Sequence, residues 1–226
     1  MTIPVSLAEV AALVGDPARA NILCALLDGR ALTAGELAYA ANVSPQTTSG
    51  HLAKLTQAHL LDVLKQGRHR YFRIATPQVA QMLESIMAVA LQTPPRHRPA
   101  SRADDAMRLA RTCYDHFAGR LGVGLADTLC GRGHVLLAED GGEVTPQGHE
   151  FFDRFGITLV KNRRRIFCRA CVDWTERRPH LGGAVGAALA NRCFDLGWVK
   201  RMREGRALTI TPTGRTGLRE VFDLSI

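Results

Sequence analysis

Two clusters in this 226-residue chain carry residue types and spacings that could do chemistry. The denser runs from Lys161 to Gly183, KNRRRIFCRACVDWTERRPHLGG. It holds Cys168-x-x-Cys171, Trp174 and His180, with Cys193 further along. Three chemistries compete for it. A CxxC places two thiolates on one ion, so Cys168, Cys171 and one or two of His180 and Cys193 would hold zinc or another thiophilic metal. The second CxxC pair that would make this a strong signal is missing. Thiols beside Arg163, Arg164, Arg165 and Arg169 would ionise readily and could serve instead as a redox or electrophile switch. Small buried thiols packed beside Trp174 would leave a structural domain, or one that takes an organic ligand.

The second cluster is SPQTTSGHLAKLTQAHL, starting at Ser44. Helical spacing turns Thr48, Leu52 and Leu55 to a core. Gln46, Thr47, Ser49, Gly50, His51 and Lys54 then lie on the opposite side near the N-terminus. Short hydrogen-bonding groups suit base edges and phosphates. The following hairpin holds Lys65, Gln66, Arg68, His69, Arg70 and Tyr71, the density of a wing reaching phosphates or a minor groove. On this reading Gln46, Thr47, Ser49 and His51 read bases, while Lys54, Arg68 and Arg70 hold phosphates or the minor groove.

The elements that must position these residues are signalled locally. Ser6-x-x-Glu9 and Thr33-x-x-Glu36 are capping boxes, and Asp16-Pro17 and Ser44-Pro45 pair an N-cap with an N1 proline. The order expected to about residue 90 is α-α-α-α-β-β-α, with a helix-turn-helix pair, 34–41 and 45–59, whose second member enters the major groove. Cys24, between Leu23 and Leu26, is expected in the core. Thr93–Ser101, TPPRHRPAS, reads as a linker, giving domains 1–92 and 102–226. Beyond it, Thr145-Pro146-Gln147-Gly148 and Thr211-Pro212-Thr213-Gly214 each follow a hairpin, as Thr76-Pro77 does. This suggests one or two further winged-helix-like units, although the middle hairpin leaves little room for a second strand. Cys113 is expected on an apolar helix face with Met107, Ala110, Tyr114 and Phe117. His116, His134 and His149 look like isolated surface or capping groups.

Composition bounds the function. With 29 Lys+Arg against 21 Asp+Glu the net charge is +8, at 46% hydrophobic and 22% charged residues, an ordinary globular balance. Residues 1–95 hold seven basic and six acidic residues, a net of only +1; residues 44–73 hold five basic and one acidic, a net of +4 on the expected nucleic-acid face. The N-terminus lacks a signal-peptide layout and no apolar run approaches a membrane span, so a cytoplasmic protein with reduced thiols is expected. No phosphate loop, GxSxG or HExxH occurs, and the CxxC lacks a βαβ context, so no enzyme is expected.

DPARANILCALLDG, followed by ELAYAANVSPQTTSGHLAKLTQAHLLDVLKQGRHRYFRI, resembles the winged helix-turn-helix of ArsR/SmtB-type bacterial repressors over about residues 5–90. The resemblance implies a homodimer joined through the first and last helices of the domain. It also implies a double-stranded operator of inverted repeats and an inducer that weakens DNA affinity. The family's Cys-x-Cys metal site falls where this chain reads Leu32-Thr33-Ala34-Gly35-Glu36. Its Asp/His site falls on 77–91, which has neither residue. Gly50 replaces a larger, often basic residue. CVDWTERRPHLGGAVGAALANR, leading to GWVKR and RALTITPTG, also resembles a C-terminal extension of some such regulators. Cys171, Asp173, Trp174, Glu176, Arg177 and His180 belong to its recurrent pattern, whereas Cys168 and Cys193 are additions. The fold expected is mainly α with small β-wings. The function expected is sequence-specific DNA binding by a homodimeric repressor, released by an inducer acting on the C-terminal domain. The alternative is a thiol-based metal-binding or redox-sensing protein in which Cys168 and Cys171 carry the main activity. No cofactor is fixed; a thiophilic metal and a small-molecule inducer are the candidates.

Overall fold

The computed structural model describes residues 7–67, 69–90, 102–138, 141–161, 165–202 and 205–226. The expected linker, the Ser6 cap, Arg68, Arg163 and Arg164 lie outside them. The chain divides into two compact units, Met1–Glu84 and Ser85–Ile226.

In the first unit α1 (Leu7–Val14) and α2 (Pro17–Ala25) precede β1 (Leu32–Thr33), α3 (Ala34–Ala41), α4 (Pro45–Gln57), β2 (Leu61–Gln66) and β3 (His69–Ile74). The next helix, α5 (Pro77–Ala90), runs across the division. Asp16 caps α2 by accepting from the Arg19 N–H at 2.9 Å. Ile22, Leu23, Leu26 and Leu27 are fully buried, but Cys24 is exposed. One residue beyond Leu23 is a turn of about 100° around the helix, which carries the thiol off the buried face, contrary to the core expectation.

Thr33 and Glu36 form a reciprocal capping box at α3. The strand β1 adds to the expected order; its two residues are too few to show a periodicity and Thr33 doubles as the cap, and it pairs Leu32 with Phe72. Asn42 closes α3 in the left-handed conformation at φ 53°, and Ser44 caps α4 by accepting from the Thr47 N–H at 3.1 Å. The α4 helix buries Thr48, Leu52 and Leu55. Substituting Ser44 by Ala leaves that N–H without its acceptor and should cost about 1 kcal/mol in an unfolding experiment. Strands β2 and β3 pair from Leu61↔Ile74 to Gln66↔His69, with Gly67 at φ 58° opening the tip.

The second unit opens with α6 (Arg102–Leu109) and then runs twice through hairpin, helix, hairpin, helix. The first copy is β4 (Arg111–Cys113), β5 (His116–Ala118), α7 (Gly119–Gly131), β6 (Val135–Ala138), β7 (Gly141–Val144) and α8 (Pro146–Arg154). The second is β8 (Arg169–Val172), β9 (Pro179–Gly182), α9 (Gly183–Asp195), β10 (Val199–Arg201), β11 (Leu208–Ile210) and α10 (Pro212–Phe222). The middle hairpin has room for its second strand, pairing Val135 with Val144 and Ala138 with Gly141. The helix–hairpin–helix part of each copy echoes the order α4, wing, α5. The repetition reaches individual positions. Helix α7 buries Gly119, Leu121, Gly122, Val123, Leu125, Ala126 and Leu129, and α9 buries Gly183, Val185, Gly186, Ala187, Leu189, Ala190 and Cys193. Cys193 therefore occupies the core position that Leu129 fills in the first copy.

The Thr-Pro-x-Gly signature has a geometric cause. Thr145 Oγ1 donates to the Gly133 carbonyl at 2.7 Å and accepts from the Gly148 N–H at 3.0 Å. Thr211 repeats this with the Gly197 carbonyl at 2.8 Å and the Gly214 N–H at 2.9 Å. Each helix start is thus tied to the turn before its own hairpin, and the glycine lies flat on that backbone. A Cβ at Gly148 or Gly214 would sit 2.0 Å from the carbonyl oxygen of His134 or Trp198. Among the described residues no helix is long and apolar enough to cross a membrane.

Candidate metal centre and nucleic-acid interface

Hairpin β4–β5 places Cys113 directly opposite His116, and hairpin β8–β9 places Cys171 opposite His180. Residues opposite each other across an antiparallel pair project to the same face, so each hairpin presents one sulfur and one imidazole together. The two hairpins face each other. The sulfurs of Cys113 and Cys171 are 3.8 Å apart and the rings of His116 and His180 have centroids 5.1 Å apart. One donor atom from each of the four residues lies within 4.8 Å of all the others, and all four residues are buried. Gly182 makes the room: a Cβ there would come 3.3 Å from His116 Nε2.

Both imidazoles are backed by carboxylates. His116 Nδ1 is 3.2 Å from Asp115 Oδ1, and His180 Nδ1 faces Asp173 Oδ2 at 3.5 Å. Each carboxylate is in turn held by an arginine, Asp115 by Arg165 at 2.6 Å and Asp173 by Arg111 at 2.9 Å. Asp173 also accepts from the N–H groups of Gly119, Thr175 and Glu176 at 2.6, 2.8 and 3.0 Å. Burial alone would raise the Asp173 pKa, but Arg111 and these donors hold it well below the ordinary carboxylate range. The hydrogen bond from Cys113, with the imidazoles of His116 and His180 close by, outweighs burial at Cys171 and keeps that thiol low. Burial opposes charge on His116, yet the hydrogen bond to Asp115 and the neighbouring Cys171 sulfur prevail and lift it to about 9. The Nε2 atoms of both histidines are buried and have no hydrogen-bond partner.

Of the residues singled out around the CxxC, the structure brings together Cys171 and His180, and joins them with Cys113 and His116. It does not bring Cys168 or Cys193 to them. An extended chain turns residues i and i+3 to opposite faces, and Cys168 enters the large apolar core while Cys171 faces the other hairpin. Burial pushes Cys168 and Cys193 up to about 12, as for inert core thiols. The thiol-based alternative founded on a Cys168–Cys171 pair thus lacks its geometry. Trp174 is no ligand: its ring lies under the Arg111 guanidinium, 4.3 Å from the centroid. Cys113 is on a strand rather than a helix face, and His116 is buried rather than a surface group. One sequence signal could have found them. RTCYDH from Arg111 and RACVD from Arg169 align Cys113 with Cys171 and Asp115 with Asp173, and the next histidine in each copy is His116 or His180.

In the first unit Gln46, Thr47, Ser49, Lys54 and Arg70 are exposed and His51 is half-buried. The Thr47 hydroxyl meets Ser44 Oγ at 2.9 Å and Ser49 Oγ donates to the Pro45 carbonyl at 2.9 Å. His51 Nδ1 faces Arg19 Nη1 at 3.4 Å. A groove of about 420 Å³ lies between α4 and the wing, lined by Ser49, Ala53, Gln57, Val63 and Arg70 among others.

Comparison with known proteins matches residues 14–63 to the family described as a helix-turn-helix domain. A curated relative from Bacillus subtilis (strain 168), the uncharacterized HTH-type transcriptional regulator YdfF, is 40% identical over 223 residues, covering 98% of this chain and 99% of its own. Solved structures align with a smaller part. HlyU from Vibrio cholerae N16961 is 27% identical over 38% of this chain and 91% of its own, with a TM-score of 0.34. The homodimeric winged helix-turn-helix DNA-binding domain of Mb0332 from Mycobacterium bovis, described as a possible ArsR-family regulator, is 25% identical over 42% and 87%, with a TM-score of 0.37.

Proposed function

The chain belongs to the helix-turn-helix transcriptional regulators, and from that premise we propose that it is a homodimeric repressor of the ArsR/SmtB type, with a winged helix-turn-helix at its N-terminus, released by an effector acting on the C-terminal domain. The observation that carries the reading is the capped pair α3 and α4 beside a cationic wing. Its turn is fixed by the left-handed Asn42 and the Ser44 cap, and the polar end of α4 is left exposed. Gln46, Thr47, Ser49 and the Nε2 side of His51 would meet base edges, while Lys54, Arg68 and Arg70 would meet phosphates or the minor groove.

Homodimerisation is supported by apolar surface on the two helices that flank this pair. None of the residues of α1 is buried within the chain, and Leu7 is 87% exposed. On α5, Ile86 and Val89 are 45% and 65% exposed. A dimer covering both helices removes that surface from water and doubles the recognition helix.

The test is selection of duplexes from a random pool by the full chain. The selected sites should contain two inverted half-sites separated by about one helical turn, roughly 10 base pairs. In salt titrations on that duplex, Arg70→Ala should flatten the slope of log K against log salt by about 0.9 for the one phosphate lost. A slope equal to that of the parent would remove the wing from the DNA contact.

A further inference from the structure

We propose that Cys113, His116, Cys171 and His180 form a closed tetrahedral site for a thiophilic divalent ion of the zinc type, with the two Sγ and the two Nε2 atoms as ligands. Regulation through this site rests on the effector reading given above; ion binding itself does not.

The spacing fits the ion. Zinc binds thiolate sulfur at about 2.3 Å, and two sulfurs on a tetrahedral ion are then roughly 3.8 Å apart. The Cys113 and Cys171 sulfurs are separated by 3.8 Å, whereas a disulfide needs about 2.05 Å. The imidazoles are already oriented. His116 Nδ1 hydrogen-bonds Asp115 and His180 Nδ1 lies 3.5 Å from Asp173 without a formed hydrogen bond, an approach to the carboxylate-to-histidine arrangement that fixes metal-binding histidines. Both Nε2 atoms are among the buried polar atoms without a hydrogen-bond partner in the described residues, and each histidine has a donor nitrogen within 4.8 Å of both sulfurs; such groups call for a ligand.

Charge fits as well. Asp115 with Arg165 and Asp173 with Arg111 are balanced pairs. Two thiolates then neutralise a divalent ion, so the filled site adds no net charge to a buried region. Two sulfurs and two nitrogens in a tetrahedron select zinc over ions that prefer oxygen or square-planar sites. Four protein ligands leave no open position, which makes the site structural or regulatory rather than catalytic.

The experiment uses the full chain, purified under reducing conditions and stripped with a chelator, then titrated with Co²⁺ and with Zn²⁺ against a chromophoric chelator. Expected is one ion per chain, with the visible bands of tetrahedral Co²⁺ and a sulfur-to-cobalt charge-transfer band, displaced by Zn²⁺. Cys113→Ser and Cys171→Ser should each lower Zn²⁺ affinity at least about 100-fold, and Asp115→Asn about 10-fold or more. Cys168→Ser and Cys193→Ser should bind as the parent does. Because a serine variant could fail to fold, His180→Cys provides the rescue: a Cys3His set still suits zinc, so it should retain the ion that His180→Ala loses. A folded full chain without the tetrahedral Co²⁺ spectrum would overturn the site. So would binding that survives Cys113→Ser and Cys171→Ser, or a Cys113–Cys171 disulfide that forms in air equally fast with and without Zn²⁺. Affinity for the selected duplex, measured with and without Zn²⁺, separates the two readings. A metal-binding chain whose DNA affinity does not change keeps the site and overturns its role as effector site.

Discussion

Replacing Arg111 by leucine should destabilise the metal-free C-terminal unit by about 3–5 kcal/mol, the cost of leaving one partner of a buried ion pair uncompensated. Arg111 and Asp173 are both fully buried and meet at 2.9 Å. The guanidinium also donates to the Met107 carbonyl and to Thr175 Oγ1, each at 3.1 Å, so leucine strands several acceptors along with the carboxylate. Adding Asp173→Asn removes the stranded charge while keeping an acceptor for the Gly119 N–H. The double variant should therefore recover part of the loss, a coupling that urea melts of the four proteins measure directly. The pH dependence has a fixed sign. Asp173 titrates below its ordinary value of 3.8 in the folded state. Its stabilisation is thus complete above about pH 4 and is lost as pH falls towards the folded value. The parent loses this contribution in acid, and Arg111→Leu has little of it left to lose. Equal acid limbs for the two would show that the pair does not stabilise the fold.

The second large effect belongs to Gly214 and Gly148. A Cβ at either position would stand 2.0 Å from a backbone carbonyl oxygen, and backbone pinned in a hairpin cannot yield as a side chain can. Gly214→Ala should cost at least about 3 kcal/mol, at or beyond the usual upper end for overpacking, by prising α10 from the strand that starts at Val199. Gly131→Ala is the control. It lies at the end of α7 with nothing within 4 Å of its Cβ position, and should gain about 0.4–1 kcal/mol by restricting the unfolded chain. Thermal melts of the three proteins side by side would check both signs.

The helix-turn-helix was legible because every signal it needs is local. Thr33 and Glu36, Asn42, and Ser44 with Pro45 each act within four residues along the chain, and Thr48, Leu52 and Leu55 keep one period. The Cys/His cluster was not, because it is made entirely by pairing. Strands β4 and β5 have three residues each, too few to show an alternation, and the apolar spacing of Met107, Ala110 and Phe117 around Cys113 imitates a helix. Chelation by a CxxC needs a turn between its cysteines, whereas Cys171 lies in a strand and Cys168 immediately before one. The Thr-Pro-x-Gly repeats were visible. Extended backwards, past a β8–β9 loop (173–178) longer than its counterpart 114–115, the repeats align the two cysteines, the two aspartates and the two histidines.

The junction between hairpin and helix gives the cluster mechanical reach. Strand β5 ends at Ala118 and α7 begins at Gly119; β9 ends at Gly182 and α9 begins at Gly183. No slack chain separates His116 or His180 from the helix that follows. Each helix has 13 residues, a rod of about 20 Å at 1.5 Å per residue. A displacement of either imidazole is therefore felt at the first turn of a core helix, with no loop between them to take it up.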